Sequence, residues 1–219
     1  MFGNFDFQVI VRWAPLLAEG MALSLLLTGI AIIGGVVLGA VLAIMRLSPS
    51  RLLSWPSGFY VNFFRSIPLI LVIFWFYFSV PIVIGRPVGS FYSVLIAFTM
   101  FEAAYYCEII RAGIMSVGRG QSAAAQAIGL SSFQAATSVI LPQAFRNMLP
   151  VLLTRSIVMF QDTSLVYVVG LRDFMTTADI VATRENRIVE MYLFAAVVYL
   201  AICFAGSMWA RSLQRKYAI

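Results

Sequence analysis

The sequence has no histidine and a single lysine, Lys216, among its 219 residues. Without histidine there is no Ser-His-Asp triad, no Cys-His pair and none of the usual zinc sites. The lone lysine is followed by Tyr217, whereas a P-loop needs Gly-Lys followed by Ser or Thr, so the chain cannot build that kind of ATP site for itself. Charge is scarce as well. Charged types make up 11% of the residues and hydrophobic types 62%, with a mean hydropathy of +0.94. Soluble domains carry about 25% charged and roughly 45–50% apolar residues. A soluble globular enzyme, a disordered chain and a nucleic-acid module all fit poorly, and no nucleic-acid partner is expected. The two cysteines, Cys107 and Cys203, sit in apolar runs as small hydrophobes rather than as a disulfide framework. No nucleophile–base pair or metal cluster stands out, so neither an enzyme nor a metal site is expected.

What is abundant is apolar sequence in long runs. Five are read as spans, at about Met21–Met45, Tyr60–Val83, Phe91–Ile110, Leu149–Leu171 and Val189–Met208. The chain is therefore expected to be an all-α membrane protein with about five transmembrane helices. Residues 1–20 contain Asp6, Arg12 and Glu19 and lack a basic n-region with a short apolar core, so no cleavable signal peptide is expected there. Loop charge sets the orientation. The joins after spans one and three, with the tail, carry Arg46, Arg51, Arg111, Arg119, Arg146, Arg211, Arg215 and Lys216, against Arg12, Arg86, Arg172, Arg184 and Arg187 on the other side. The positive-inside rule then puts residues 1–20 outside and the C-terminus in the cytoplasm. Residues 21–219 read as one transmembrane domain. In span one, Gly35 and Gly39 form a small-xxx-small face suited to close helix packing.

The sizeable inward-facing segment runs from Gly118 to about Met148. It reads as two short helices around a turn. The first, about Gln121–Ile128, is mostly alanine and other small residues, and its thin cross-section suits a groove on a partner protein. Gly129 suits the left-handed position after a helix. Ser131 with Gln134 makes an S-x-x-Q capping box for the second helix, which Leu141-Pro142 is expected to stop or bend.

The register of Ala124, Ala125, Gly129, Val139, Leu141 and Pro142 resembles the EAA loop of ABC importer permeases, with Ala123 at the family's Glu position. FRSIPL (Phe64–Leu69), EIIRAGI (Glu108–Ile114), RGQS (Arg119–Ser122), LPQAFR (Leu141–Arg146) and QDTSLV (Gln161–Val166) resemble the polar amino-acid permeases of that superfamily. FEAAYYCEIIRAGI and VMFQDTSLVYV look most like glutamate/aspartate permease subunits. The resemblance covers most of the chain. It implies a type I ABC importer permease in a bacterial inner membrane, with residues 118–148 as a cytoplasmic coupling loop. Ala123, Ala124, Ala125, Gly129, Leu141 and Pro142 would meet an ATPase subunit. It further implies no cofactor in this chain, ATP used by the ATPase partner, a second permease subunit (identical or related), and an extracytoplasmic binding protein that delivers the amino acid. Other readings are a permease for glutamine or a basic amino acid, and a channel or structural membrane subunit. The last has no need of an ATPase-docking helix.

Charged groups inside a span cost roughly 2.5–3.5 kcal/mol each on insertion scales, so those present are the candidates for function. Glu108 and Arg111 are spaced for an i, i+3 pair at the cytoplasmic end of span three. Arg155 and Asp162, two turns apart in span four, should project from nearly one face about 10.5 Å apart along the axis, with Gln161, Thr163 and Ser164 beside Asp162. Asp162 suits an α-ammonium, and Arg155 suits a carboxylate held by two parallel hydrogen bonds. The alternative is a salt bridge that only ties helices together. Many relatives have Lys where this chain has Gln161. Arg65 and Ser66 precede Pro68, where a broken helix can expose backbone to a substrate; Arg65 could equally snorkel to the cytoplasmic interface. Glu102, in mid-span, suits either a substrate amine or an arginine partner.

Overall fold

The computed structural model describes residues 6–217, with side chains as far as Arg215. Met1–Phe5 of the expected outer segment and the Lys216 side chain of the basic tail lie outside the described residues. In chain order the helices are α1 (Gln8–Arg12), α2 (Ala14–Leu47), α3 (Arg51–Arg65), α4 (Leu69–Phe74), α5 (Val80–Ile84), α6 (Ser90–Met115), α7 (Arg119–Ala127), α8 (Ser132–Ala135), α9 (Leu141–Asp162), α10 (Phe174–Arg184) and α11 (Ile188–Tyr217). A π turn (Trp75–Ser79) joins α4 to α5, and a second (Ala136–Ile140) joins α8 to α9, which runs on into a 3-10 turn (Thr163–Val169). Among the described residues four helices, Ala14–Leu47, Ser90–Met115, Ser132–Val169 and Ile188–Arg215, are long and apolar enough to cross a membrane. A fifth span exists if α3 and the helix Leu69–Ile84 count together.

Two expectations are corrected. The second span is not continuous from Tyr60. Helix α3 begins at Arg51 and ends at Arg65, and the chain leaves helical geometry before Pro68, which sits at φ −62°, ψ 140°. Proline has no N–H to continue the ladder, and its ring disfavours helix in the residue before it. At the end of α3 the Ser66 hydroxyl donates to Asn62 O at 2.7 Å, the carbonyl that also accepts the Ser66 N–H at 3.1 Å. Pro142, by contrast, does not stop its helix. The π turn just before it shifts the hydrogen-bond register, and the Gln143 side-chain amide donates to Val139 O at 2.9 Å. A side-chain donor thus serves a carbonyl of the turn next to the proline.

The chain forms two compact units by internal packing. The first comprises Met1–Ile32, Pro68–Thr99 and Ser156–Gly206. Its core gathers Leu17, Phe174, Ala178, Val181, Met191 and Ala195. Helix α10 docks on the start of α2, where Gly20 allows close approach: a Cβ there would lie 2.6 Å from Thr177 Oγ1 and 2.8 Å from Asp173 O. Ser24 Oγ accepts from the Phe174 N–H at 3.1 Å. Asp173 caps α10, accepting from the N–H groups of Met175 and Thr176 at 3.1 and 2.9 Å. Burial pushes its carboxyl above the usual carboxylate range against those bonds.

The second unit comprises Ile33–Ile67, Met100–Arg155 and Ser207–Ile219. Here the Gly35/Gly39 face does what its spacing suggests. A Cβ on Gly35 would lie 2.8 Å from Glu102 Cβ, and one on Gly39 2.9 Å from both Ala103 O and Cys107 N. Only glycine lets α2 approach the backbone of α6 this closely. Tyr60 ties α3 to α6 by donating its hydroxyl to Met100 O at 2.8 Å.

Candidate functional site

Within the second unit, one side of α6 carries Glu102, Tyr105 and Glu108 at i, i+3 and i+6. Glu102 is fully buried. Arg155 grips it with two donors, Nε to Oε2 at 2.9 Å and Nη2 to Oε1. The guanidinium also lies over the Tyr105 ring, 4.0 Å from its centroid, and 5.8 Å from that of Phe101. This planar, two-pronged geometry on an aromatic floor is what a guanidinium offers and an ammonium does not. Arg155 is thus brought together with Glu102, a partner 53 positions away that no local spacing reveals.

Glu108 is shared. Arg111 donates to it from Nη2 at 2.9 Å and from Nε at 3.3 Å, the i, i+3 pair read from the sequence. Arg46 at the end of α2 donates to the same carboxylate. Arg65, at the end of α3, lies 4.0 Å from it and 5.6 Å from the Tyr105 centroid. Three guanidiniums thus surround one carboxylate.

In the first unit, Gln161, Ser164 and Tyr167 line a pocket of about 590 Å³ together with Thr176 and Asp179 of α10 and Tyr192 of α11. That volume falls in the range of small-molecule sites, roughly 300–1,000 Å³. The Tyr192 hydroxyl donates to Asp179 Oδ1 at 2.7 Å. A carboxylate ringed by hydroxyls and an amide can hold an ammonium, and among the described residues no basic side chain lines this pocket. Gln161 donates to Cys203 Sγ at 3.5 Å, and Ser164 to Gln161 O at 2.8 Å. Thr163 differs: it is fully buried, and its hydroxyl donates to Phe160 O at 2.7 Å, so it holds the 3-10 turn rather than facing the pocket. Asp162 closes α9, the helix that also carries Arg155. Sequence reading missed α10 and Asp179. The signal was there in Asp173 followed at its third position by Thr176, an N-cap pattern opening an 11-residue helix.

The turn within Gly118–Met148 builds as expected, and α7 before it runs Arg119–Ala127. Gly129 has φ +89°. Its N–H donates to Gln126 O at 2.9 Å and that of Leu130 to Ala125 O at 3.1 Å, the two bonds of a Schellman end. Both halves of the Ser131/Gln134 capping box form. Ala125 is the buried residue of α7, while Ala123, Ala124, Gly129, Leu141 and Pro142 are exposed, and Ile128 and Phe133 stand out at 79% and 77% exposure. The outcome is a small-residue helix with an apolar edge facing outward.

The family model for "Binding-protein-dependent transport system inner membrane component" matches residues 35–219. The chain belongs to that family. It is a permease subunit of a binding-protein-dependent ABC importer, and ATP hydrolysis belongs to a separate subunit. This permease is 47% identical to the glutamate/aspartate import permease protein GltK of Escherichia coli O6:H1 over 98% of its own length and 99% of that protein. It is 35% identical to the probable glutamine ABC transporter permease protein GlnM of Bacillus subtilis strain 168 (99% and 95% covered). A crystal structure of an amino acid ABC transporter with histidines matches with a TM-score of 0.91 at 31% identity, over 97% of this permease and 99% of that chain.

Proposed function

We propose that this permease belongs to an importer for glutamate and aspartate. The observation that carries the reading is the 47% identity to a glutamate/aspartate permease along nearly the whole length of both chains. Identity falls to 35% and 31% for relatives named for glutamine and arginine. In this reading residues 1–20 face the outside, residues 21–219 form one transmembrane domain, and the C-terminus faces the cytoplasm. The Gly118–Met148 loop enters a groove on an ATPase subunit through its exposed alanines, Ile128 and Phe133. A second permease, identical or related, completes the pathway, and a binding protein delivers substrate. Nucleotide binding closes the paired loops and drives alternating access.

Substrate contacts are assigned to Arg155, Glu102, Arg65 and Ser66 in the second unit and to Asp162, Gln161 and Ser164 in the first, with Thr163 in support. Because the Arg155 fork holds Glu102, an acidic substrate reaches Arg155 by exchanging with that carboxylate. Thr163 contributes by shaping the turn that presents Gln161 and Ser164. A second reading, import of a neutral or basic amino acid, is favoured by the Asp179 pocket, which matches an ammonium and offers a carboxylate no counter-charge. Uptake by an assembled complex carrying Arg155→Gln separates the two. Loss of preference for acidic amino acids is expected, and unchanged affinity and selectivity would remove Arg155 from the site.

A further inference from the structure

Helix α3 is amphipathic along its 15 residues. One side buries Ser57, Val61 and Phe64. The other exposes Leu52, Trp55, Phe59 and Phe63 at 86%, 73%, 63% and 40%. The three rings run along the helix, with centroids 6.1 Å apart from Trp55 to Phe59 and 6.0 Å from Phe59 to Phe63. Such a stripe, with arginines at both ends of the helix (Arg51 and Arg65), is the pattern of a helix seated at a membrane interface. The same helix borders the arginine group around Glu108. Arg65 belongs to that group, and Arg46 Nε comes within 4.0 Å of where a Cβ on Gly58 would sit, one turn from Trp55. Three cations share one anion there, and their side chains are partly open, at 22% for Arg46, 43% for Arg65 and 28% for Arg111. The group has positive charge to spare beside an exposed aromatic strip.

We propose that α3 lies at the bilayer surface and that Arg46, Arg65 and Arg111 bind the phosphate of an anionic phospholipid whose acyl chains run along Trp55, Phe59 and Phe63. The headgroup supplies the missing negative charge, and the rings supply the apolar track. Arg65 is the natural recruiter, because its distance to Glu108 is the longest of the three. The inference concerns a lipid; it shares Arg65 with the residues proposed for the amino acid, while Arg46 and Arg111 belong to the lipid alone.

The test uses the assembled transporter in phosphatidylcholine vesicles. Phosphatidylcholine or phosphatidylglycerol with brominated acyl chains is titrated in, and tryptophan emission is followed in wild type and Trp55→Phe to isolate the Trp55 component. Near-surface attraction is worth roughly a fivefold preference per basic residue. Half-maximal quenching of Trp55 by brominated phosphatidylglycerol is therefore expected at about one fifth of the phosphatidylcholine fraction or less. Arg46→Gln combined with Arg111→Gln, which leaves Arg65 facing Glu108 alone, should narrow the gap between the two lipids. Equal half-points in wild type, a comparison that needs no charge variant, would overturn the phosphate site. A Trp55 component that neither lipid quenches would overturn the proposal outright, since the stripe would then be covered by protein, such as a second permease. None of these readouts measures transport, so an error in the substrate assignment leaves them intact.

Discussion

Glu102 and Glu108 lie less than two turns apart on α6, yet the fold treats them in opposite ways. Glu102 has no solvent exposure and is held by both prongs of Arg155 above Tyr105. Glu108 keeps 17% side-chain exposure and is shared by three arginines from α2, α3 and α6. A carboxylate taken fully out of water must be met by a partner of excellent geometry, because the desolvation cost of each lone charge is several kcal/mol. A carboxylate near the surface needs no such match and tolerates loose, exchangeable partners. The deep pair is a lock that opens only when something replaces one of its members. The shallow group is an open site with charge left over.

The largest expected effect comes from breaking the deep pair. Glu102→Ala takes the carboxylate away from a largely buried guanidinium and should destabilise the permease by about 3–5 kcal/mol. Thermal unfolding of the purified complex would reveal this as a large drop in midpoint, and the double change Glu102→Gln with Arg155→Met should recover most of it. A midpoint unmoved by Glu102→Ala would mean that the pair is not dry. A smaller effect follows from pushing α6 away from α2. Gly39→Ala sets a Cβ 2.8 Å from Tyr106 Cβ and 2.9 Å from backbone atoms, a strain worth about 1–3 kcal/mol. Gly29→Ala, with nothing within 4 Å, serves as the control and should be neutral or slightly stabilising. The smallest effect belongs to the shallow group. Glu108→Gln should cost about 1 kcal/mol or less, with a larger loss in zwitterionic lipid than in anionic lipid. A cost as large as that of Glu102→Ala would erase the contrast between the two carboxylates.

Local features were legible in the sequence because their partners lie within a turn or two. The Gly129 end, the Ser131/Gln134 box and the Glu108–Arg111 pair all follow from spacing, and the Gly35/Gly39 face follows from the pattern of small residues. The break before Pro68 was legible as a position, but not as the end of a separate amphipathic helix. Pro142 was expected to stop or bend its helix; it does not stop it, because a π turn and a glutamine side chain that local propensity cannot foresee carry the helix past. The Glu102–Arg155 grip and the gathering of Arg46 and Arg65 on Glu108 were beyond reach, since tertiary packing of distant segments creates them. Helix α10 and Asp179 went unread because hydropathy directs attention to spans rather than to the joins between them.

The most direct measurement is uptake by the transporter reconstituted with its ATPase and binding protein, using labelled glutamate and a panel of unlabelled competitors. Glutamate and aspartate are expected to compete strongly with each other, and arginine and glutamine weakly with either. A transporter that prefers neutral or basic amino acids would contradict the assignment.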